Sequence, residues 1–147
     1  IYIPRISYSQ YKLLKNSSLL KIPELEEDDF IDPIKLKSRL KRGDLLFWTN
    51  THDEIPEYRD PPISHVMIFV GVSKAGNFLM VGAGTKGVGE TTTGGGVDLY
   101  IFEPNQVMGC VKNETGECKI NSKFVGFGRF YLKKNKSAIK YLLNLKE

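Results

Sequence analysis

Histidine and cysteine are the residues of this chain whose chemistry suits proton transfer or nucleophilic attack. There are two of each: His52, His65, Cys110 and Cys118. An imidazole titrates near neutral pH, so a histidine held at the start of a rigid strand is suited to act as a general base. His65 stands at the mouth of an apolar run. On residue pattern alone, His65 is either such a base or a core histidine whose ring is satisfied by hydrogen bonds.

The run that follows His65 predicts a strand that is buried on both sides. Its side chains alternate between two apolar faces, one with His65, Met67 and Phe69 and the other with Val66, Ile68 and Val70. A strand that is apolar on both faces lies centrally in a sheet. We therefore expect the imidazole at its entrance to be held firmly.

The two cysteines flank a polar turn that contains Gly116. In a hairpin, Cys110 and Cys118 can face each other, and the segment offers no basic partner that would activate a free thiol. We expect a disulfide, which points to a location outside the cytoplasm. The spacings of the cysteines and histidines match no structural zinc pattern, and we expect neither a metal nor a cofactor.

Composition indicates one domain over residues 1–147. Hydrophobic residues make up 41% of the 147-residue chain, which is enough for a single core. The net charge of +4 is spread along the chain, with lysines interleaved with acids, and suits an anionic envelope polymer better than nucleic acid. No 18-residue apolar run is present, so we expect no membrane span. The start at Ile1, without a methionine, suggests a processed or truncated chain.

Short apolar segments bounded by Gly, Pro, Asn or Asp predict an antiparallel sheet. Five are recognisable, at 43–49, 64–72, 77–84, 96–104 and 123–132. The links between them are too short for helical crossovers, and the link at 73–77 has Gly76 available for a positive φ in a hairpin loop.

Helical spacing is seen near both ends of the chain. An apolar stripe of Tyr8, Tyr11 and Leu14 predicts a short helix near the start. A second amphipathic helix is predicted at the end from Ile139, Leu142, Leu143 and Leu145. The acidic and then basic stretch at 22–44 is interpreted as a solvated connection with a short turn.

Five segments, in this order, resemble the NlpC-type cell-wall cysteine peptidases. They are IPRISYSQY, LKRGDLLFW, ISHVMIFVG, FLMVGAG and FVGFGRFY. The family carries a Pro-Arg-x-Ser-x-x-Gln segment after its nucleophile helix, a Gly-Asp-Leu strand, a His-Val strand and a late Gly-aromatic-Gly-Arg strand. The resemblance implies an α+β, papain-like domain with a five- or six-stranded antiparallel sheet and flanking helices. It also implies hydrolysis of amide bonds in peptidoglycan stem peptides, with His65 as general base.

The chain departs from the family at the nucleophile. The family's cysteine lies in an Asp-Cys-Ser-Gly-like motif at a helix N-terminus, and that motif would precede Ile1. Cys110 and Cys118 fall in a polar hairpin, so neither is expected to replace it, and the late Gly-Arg strand argues against a permuted order. A binding module that keeps the fold without catalysis is therefore the alternative.

A second departure concerns the residue that orients the imidazole. Many family members carry a second histidine where this chain has Gly82, and Thr85 or a backbone carbonyl is the expected substitute. Trp48, Tyr58 and the loop 85–96 are the expected walls of a peptide groove. His52, beside two acids, is expected to face solvent. The oligomeric state is left open.

Overall fold

Two helices and seven strands are described in the computed structural model of the protein, which covers residues 4–84 and 96–130. The helices are α1 (Ser7–Asn16) and α2 (Pro33–Arg39). The strands are β1 (Leu45–Thr49), β2 (Ile63–Val72), β3 (Phe78–Gly84), β4 (Gly96–Ile101), β5 (Cys110–Lys112), β6 (Cys118–Asn121) and β7 (Lys123–Gly128). Thr85 and the predicted C-terminal helix lie outside the described residues.

Five of the strands form one antiparallel sheet in the order β4-β3-β2-β1-β7. The predicted α+β class with a five-stranded antiparallel sheet is confirmed, and β2, which carries His65, is the central strand. The β2–β3 link is the predicted hairpin, closed by a hydrogen bond from Ser73 N to Asn77 O of 2.8 Å. Gly76 has the expected positive φ, +88°.

One side of the sheet, the aromatic face, is closely packed. It is formed by Leu46, Trp48, Met67, Phe69, Met80, Tyr100, Phe124 and Phe127. At its centre the Trp48 ring lies 5.6 Å from the Phe102 ring and 5.5 Å from the Phe124 ring, measured between centroids. Full burial of each such side chain contributes about 1.5–3 kcal/mol. This cluster is therefore the main source of stability among the described residues.

Helix α2 covers part of the aromatic face and was not expected from the sequence. The interpretation of this stretch as a solvated connection is wrong for residues 33–39, because Leu36 is buried in the core. Asp32 caps the helix by accepting a hydrogen bond from Ile34 N at 2.8 Å, and Pro33 occupies the first helical position. Both are recognised helix-start signals.

Helix α1 packs on the opposite side of the sheet, the α1 face. Its predicted stripe of Tyr8, Tyr11 and Leu14 is buried, and the Tyr11 ring lies edge-on to Phe47 at 5.5 Å. The α1 face continues across β2, β3 and β4 as an apolar surface that we call the open patch. It consists of Ile68, Leu79, Val81, Ala83, Val97, Leu99 and Ile101.

The open patch is incompletely covered. All seven side chains are half-buried or exposed, with Ile68 at 42% and Val97 at 80% exposure. None of them joins either buried cluster of the described residues. The prediction that β2 is buried on both sides thus holds for Met67 and Phe69 of the aromatic face, whereas Val66 is partly buried and Ile68 is exposed.

Two of the segments on which the resemblance rests meet at one end of β1. Asp44 is buried, accepts a hydrogen bond from Lys41 N at 2.8 Å and has an Oδ1 atom 3.8 Å from Arg129 Nε. Gly43 precedes it with φ +92°, a conformation that favours glycine. The Gly-Asp-Leu and Gly-Arg segments therefore serve the fold in this chain.

The disulfide between Cys110 and Cys118 is confirmed, with a Cα–Cα distance of 5.5 Å. It joins β5 and β6, which form a separate two-stranded sheet. This hairpin is attached to the loop before β2, since Lys112 N donates a hydrogen bond to Asp53 Oδ1 at 2.6 Å. Gly109 also approaches the Thr51 carbonyl so closely that a Cβ atom would collide with it.

We predict that Gly109→Ala destabilises the protein more than Gly116→Ala. Both glycines have positive φ, +138° and +84°, so each substitution carries a backbone cost of about 1–2 kcal/mol. Only at Gly109 does the new methyl meet backbone, whereas nothing lies within 4 Å at Gly116. We expect an additional loss of about 1–3 kcal/mol for Gly109→Ala in urea unfolding. Equal losses of unfolding free energy in the two variants would contradict the close contact between Gly109 and the Thr51 carbonyl.

Candidate functional site

His65 is the third residue of β2 and lies opposite Trp48 of β1 in the register. The centroids of the two rings are 6.2 Å apart, and the planes are tilted by 51°. Trp48 is fully buried, while His65 is half-buried. One side of the imidazole therefore packs against the buried core. The residue stands at the end of a central strand, as the sequence predicted.

The environment of His65 favours its neutral form. Burial lowers the pKa of the imidazole from its ordinary value of 6.5, and the nearby positive charge of His52 lowers it further. A neutral imidazole has a free lone pair at neutral pH, so His65 can accept a proton there. This is the protonation state that a general base requires.

The Met67 thioether occupies the position that the resemblance assigns to a second histidine. His65 Nε2 lies 3.1 Å from Met67 Sδ. On β3, Gly82 leaves the room for that sulfur, because a Cβ atom at Gly82 would collide with Sδ. The imidazole is thus positioned by a weak sulfur acceptor, and no described residue forms a hydrogen bond with its Nδ1 atom.

The loop before β2 is fixed beside this site. Thr51 N donates to Ser64 Oγ at 2.8 Å, and the Thr51 and Ser64 hydroxyls are 2.7 Å apart. His52 is exposed, as expected, with its Nδ1 atom 2.6 Å from the Asp53 carbonyl oxygen. Since Asp53 also anchors the disulfide hairpin, the loop is held on two sides.

The structure separates the two predicted groove residues. Trp48 is fully buried beneath His65, and its Nε1 atom has no hydrogen-bond partner among the described residues. Tyr58 is 69% exposed and lies beside Tyr8 of α1, with ring centroids 5.9 Å apart. The site therefore brings together His65, Trp48 and Met67, whereas Tyr58 lies in a second group of residues. The role of Trp48 and Tyr58 as walls of a peptide groove stays a prediction.

No protein-family model, curated protein or solved structure matches this chain. Within residues 4–84 and 96–130, no group of three or more potential ligands is arranged to hold a metal ion. The same residues include no helix with the length and apolar character needed to cross a membrane.

We predict that His52→Asn raises the pKa of His65. The substitution removes the nearby positive charge and leaves burial, the larger cause of the lowered pKa, in place. The His65 pKa should therefore rise toward 6.5 without reaching it, as followed by the imidazole Cε1 proton in an NMR pH titration. An unchanged or lower pKa would contradict the coupling between the two rings.

We also predict that the contribution of His65 to stability decreases as the pH is lowered. Because its pKa is lower in the folded chain, the unfolded chain binds the proton first, and folding is favoured most above pH 6.5. The free energy of unfolding of the wild type should fall more steeply than that of His65→Gln from about pH 8 to about pH 5. Urea unfolding across this range measures both, and parallel curves would contradict the lowered pKa.

Proposed function

We propose that this chain is the larger part of a papain-like thiol hydrolase that cleaves amide bonds in peptidoglycan stem peptides. His65 is the general base, and the nucleophilic thiol belongs to a segment N-terminal to Ile1. The observation that carries the proposal is the half-buried imidazole at the end of the central strand, where burial lowers its pKa. Its Nε2 atom contacts Met67, and its Nδ1 atom has no hydrogen-bond partner among the described residues. The confirmed disulfide supports an extracytoplasmic location.

The proposed mechanism requires one general base from this chain. His65 takes the proton of the thiol, and the thiolate attacks the carbonyl carbon of the stem-peptide amide. The tetrahedral intermediate collapses as the imidazolium returns the proton to the leaving amine, which leaves a thioester. His65 then takes a proton from water, the hydroxide formed attacks the thioester, and the thiol is released with its proton restored. Each step moves one proton through the same imidazole.

The open patch supports a further helix in the complete domain. An apolar surface that extends over three strands beside α1 is the kind of face that a packed helix covers. The His65 ring lies on the other face of the sheet, against Trp48 and Met67, so the open patch does not locate the nucleophile.

A binding module is the second candidate, and a specific observation favours it. The only cysteines of the 147-residue sequence are joined in the disulfide. In addition, the position expected to orient the imidazole presents a thioether, which is a poor acceptor for Nε2–H. A domain with these features can hold a wall peptide without cleaving it.

Thiol labelling tests the hydrolase. We predict that the protein expressed from its complete reading frame reacts with iodoacetamide at neutral pH at a cysteine outside residues 1–147. His65→Ala should slow this labelling about tenfold or more, because the base that stabilises the thiolate is removed. Asn77→Ala, an exposed change in the hairpin loop before β3, is the control and should leave the rate unchanged.

Incubation of the same proteins with a soluble muropeptide separates the two candidates. Cleavage that is lost in His65→Ala and kept in Asn77→Ala supports the hydrolase. Binding without cleavage, combined with no reactive cysteine, contradicts it and supports the binding module.

A further inference from the structure

Two cations and two tyrosines form a cluster where α1 meets the loop before β2. The Tyr8 ring is its centre, with Lys12 Nζ 5.6 Å and Arg59 Cζ 5.9 Å from the ring centroid. The Tyr58 ring lies 5.9 Å from Tyr8 at an interplanar angle of 64°. We call these four residues the tyrosine–cation cluster.

The cations of this cluster form no ion pair with another described residue. No carboxylate of residues 4–84 or 96–130 lies within 4 Å of Lys12 or Arg59, although Asp60 adjoins Arg59 in the sequence. By contrast, Lys35 and Lys123 are each paired with an acid. Each cation therefore lacks an anionic partner among these residues, and an anion bound beside it would be attracted by its charge.

Arg59 is held in place by the fold. Its Nη1 atom donates a hydrogen bond to the Ile63 carbonyl at 2.9 Å, and its Nε atom is buried without a partner. The side chain is therefore fixed by a backbone carbonyl and the Tyr8 ring and keeps its full charge. A preordered guanidinium of this kind loses little conformational freedom when it binds an anion.

We propose that the tyrosine–cation cluster is a carboxylate-recognition site for the peptide ligand. Lys12 and Arg59 hold a free carboxylate, and the ring of Tyr58, which is 69% exposed, supports the neighbouring part of the ligand. The choice of a stem peptide rests on the proposed function, whereas the preference for an anion rests on the cluster itself.

The cluster and His65 are close along the backbone and lie on opposite faces of the sheet. Arg59 is bonded to Ile63, the first residue of β2, and His65 lies two residues further along. The Tyr8 ring packs on the α1 face, whereas the His65 ring contacts Trp48 and Met67 on the aromatic face. A ligand that contacts both groups therefore passes around the end of β2.

Binding measurements test the assignment without depending on cleavage. The protein from the complete reading frame is used in a His65→Ala background, and its affinity for a soluble stem peptide with free carboxylates is compared with that for the fully amidated peptide. We expect amidation to weaken binding about tenfold or more. Lys12→Gln should weaken binding of the acidic peptide and leave that of the amidated peptide unchanged.

Lys15→Gln is the matched control, because Lys15 is an exposed lysine on the same helix outside the cluster. It should retain the affinity of the parent protein. Arg59→Lys keeps the charge and should weaken binding less than Arg59→Gln. Isothermal titration calorimetry at low salt gives all of these affinities, and far-ultraviolet circular dichroism verifies that each variant is folded.

Three results would overturn the proposal. They are equal binding of the acidic and amidated peptides, equal affinities of Lys12→Gln and Lys15→Gln, and binding of inorganic phosphate at this cluster with no binding of the acidic peptide. The last would assign the cluster to a phosphate ligand. Absence of cleavage by the protein with His65 intact would contradict the proposed function. It would not affect these affinities, which are measured in the His65→Ala background.

Discussion

Burial of the Trp48 indole is the interaction on which the rest of the structure depends. The indole sits on β1, between the two strands that pair with β1, and its ring packs against Phe102, Phe124 and His65. A fully buried indole must be surrounded on all sides, which fixes the distances between these neighbours. One consequence is that the imidazole of His65 is partly desolvated and stays neutral at neutral pH.

The elements that follow local rules could be predicted from the sequence. Alternating apolar residues identified the main strands, spacing identified α1, and a polar turn between two cysteines identified the disulfide hairpin. Helix α2 was missed because charged residues dominate its sequence, and the Asp32–Pro33 start signal is short. The incomplete cover of β2 was also missed, since alternation indicates which side chains are apolar and not what packs on them.

The candidate site was predictable only in part. The place of His65 at the head of a central strand followed from the pattern of one segment. Met67 and His65 lie on the same strand, but the room for the Met67 sulfur at Gly82 depends on how β2 and β3 are aligned, and a pattern within one strand does not specify that register. The tyrosine–cation cluster joins residues some fifty positions apart in the sequence, through a contact between Tyr8 and Arg59 that no local spacing indicates.

Met67 and Gly82 share one space in the sheet, which couples substitutions at the two positions. A side chain introduced at position 82 would meet the Met67 sulfur, which would have to move. A shorter side chain introduced at position 67 alone would leave a cavity, at a cost of about 2–5 kcal/mol for methionine to alanine. The effect of a change at either position therefore depends on the residue present at the other.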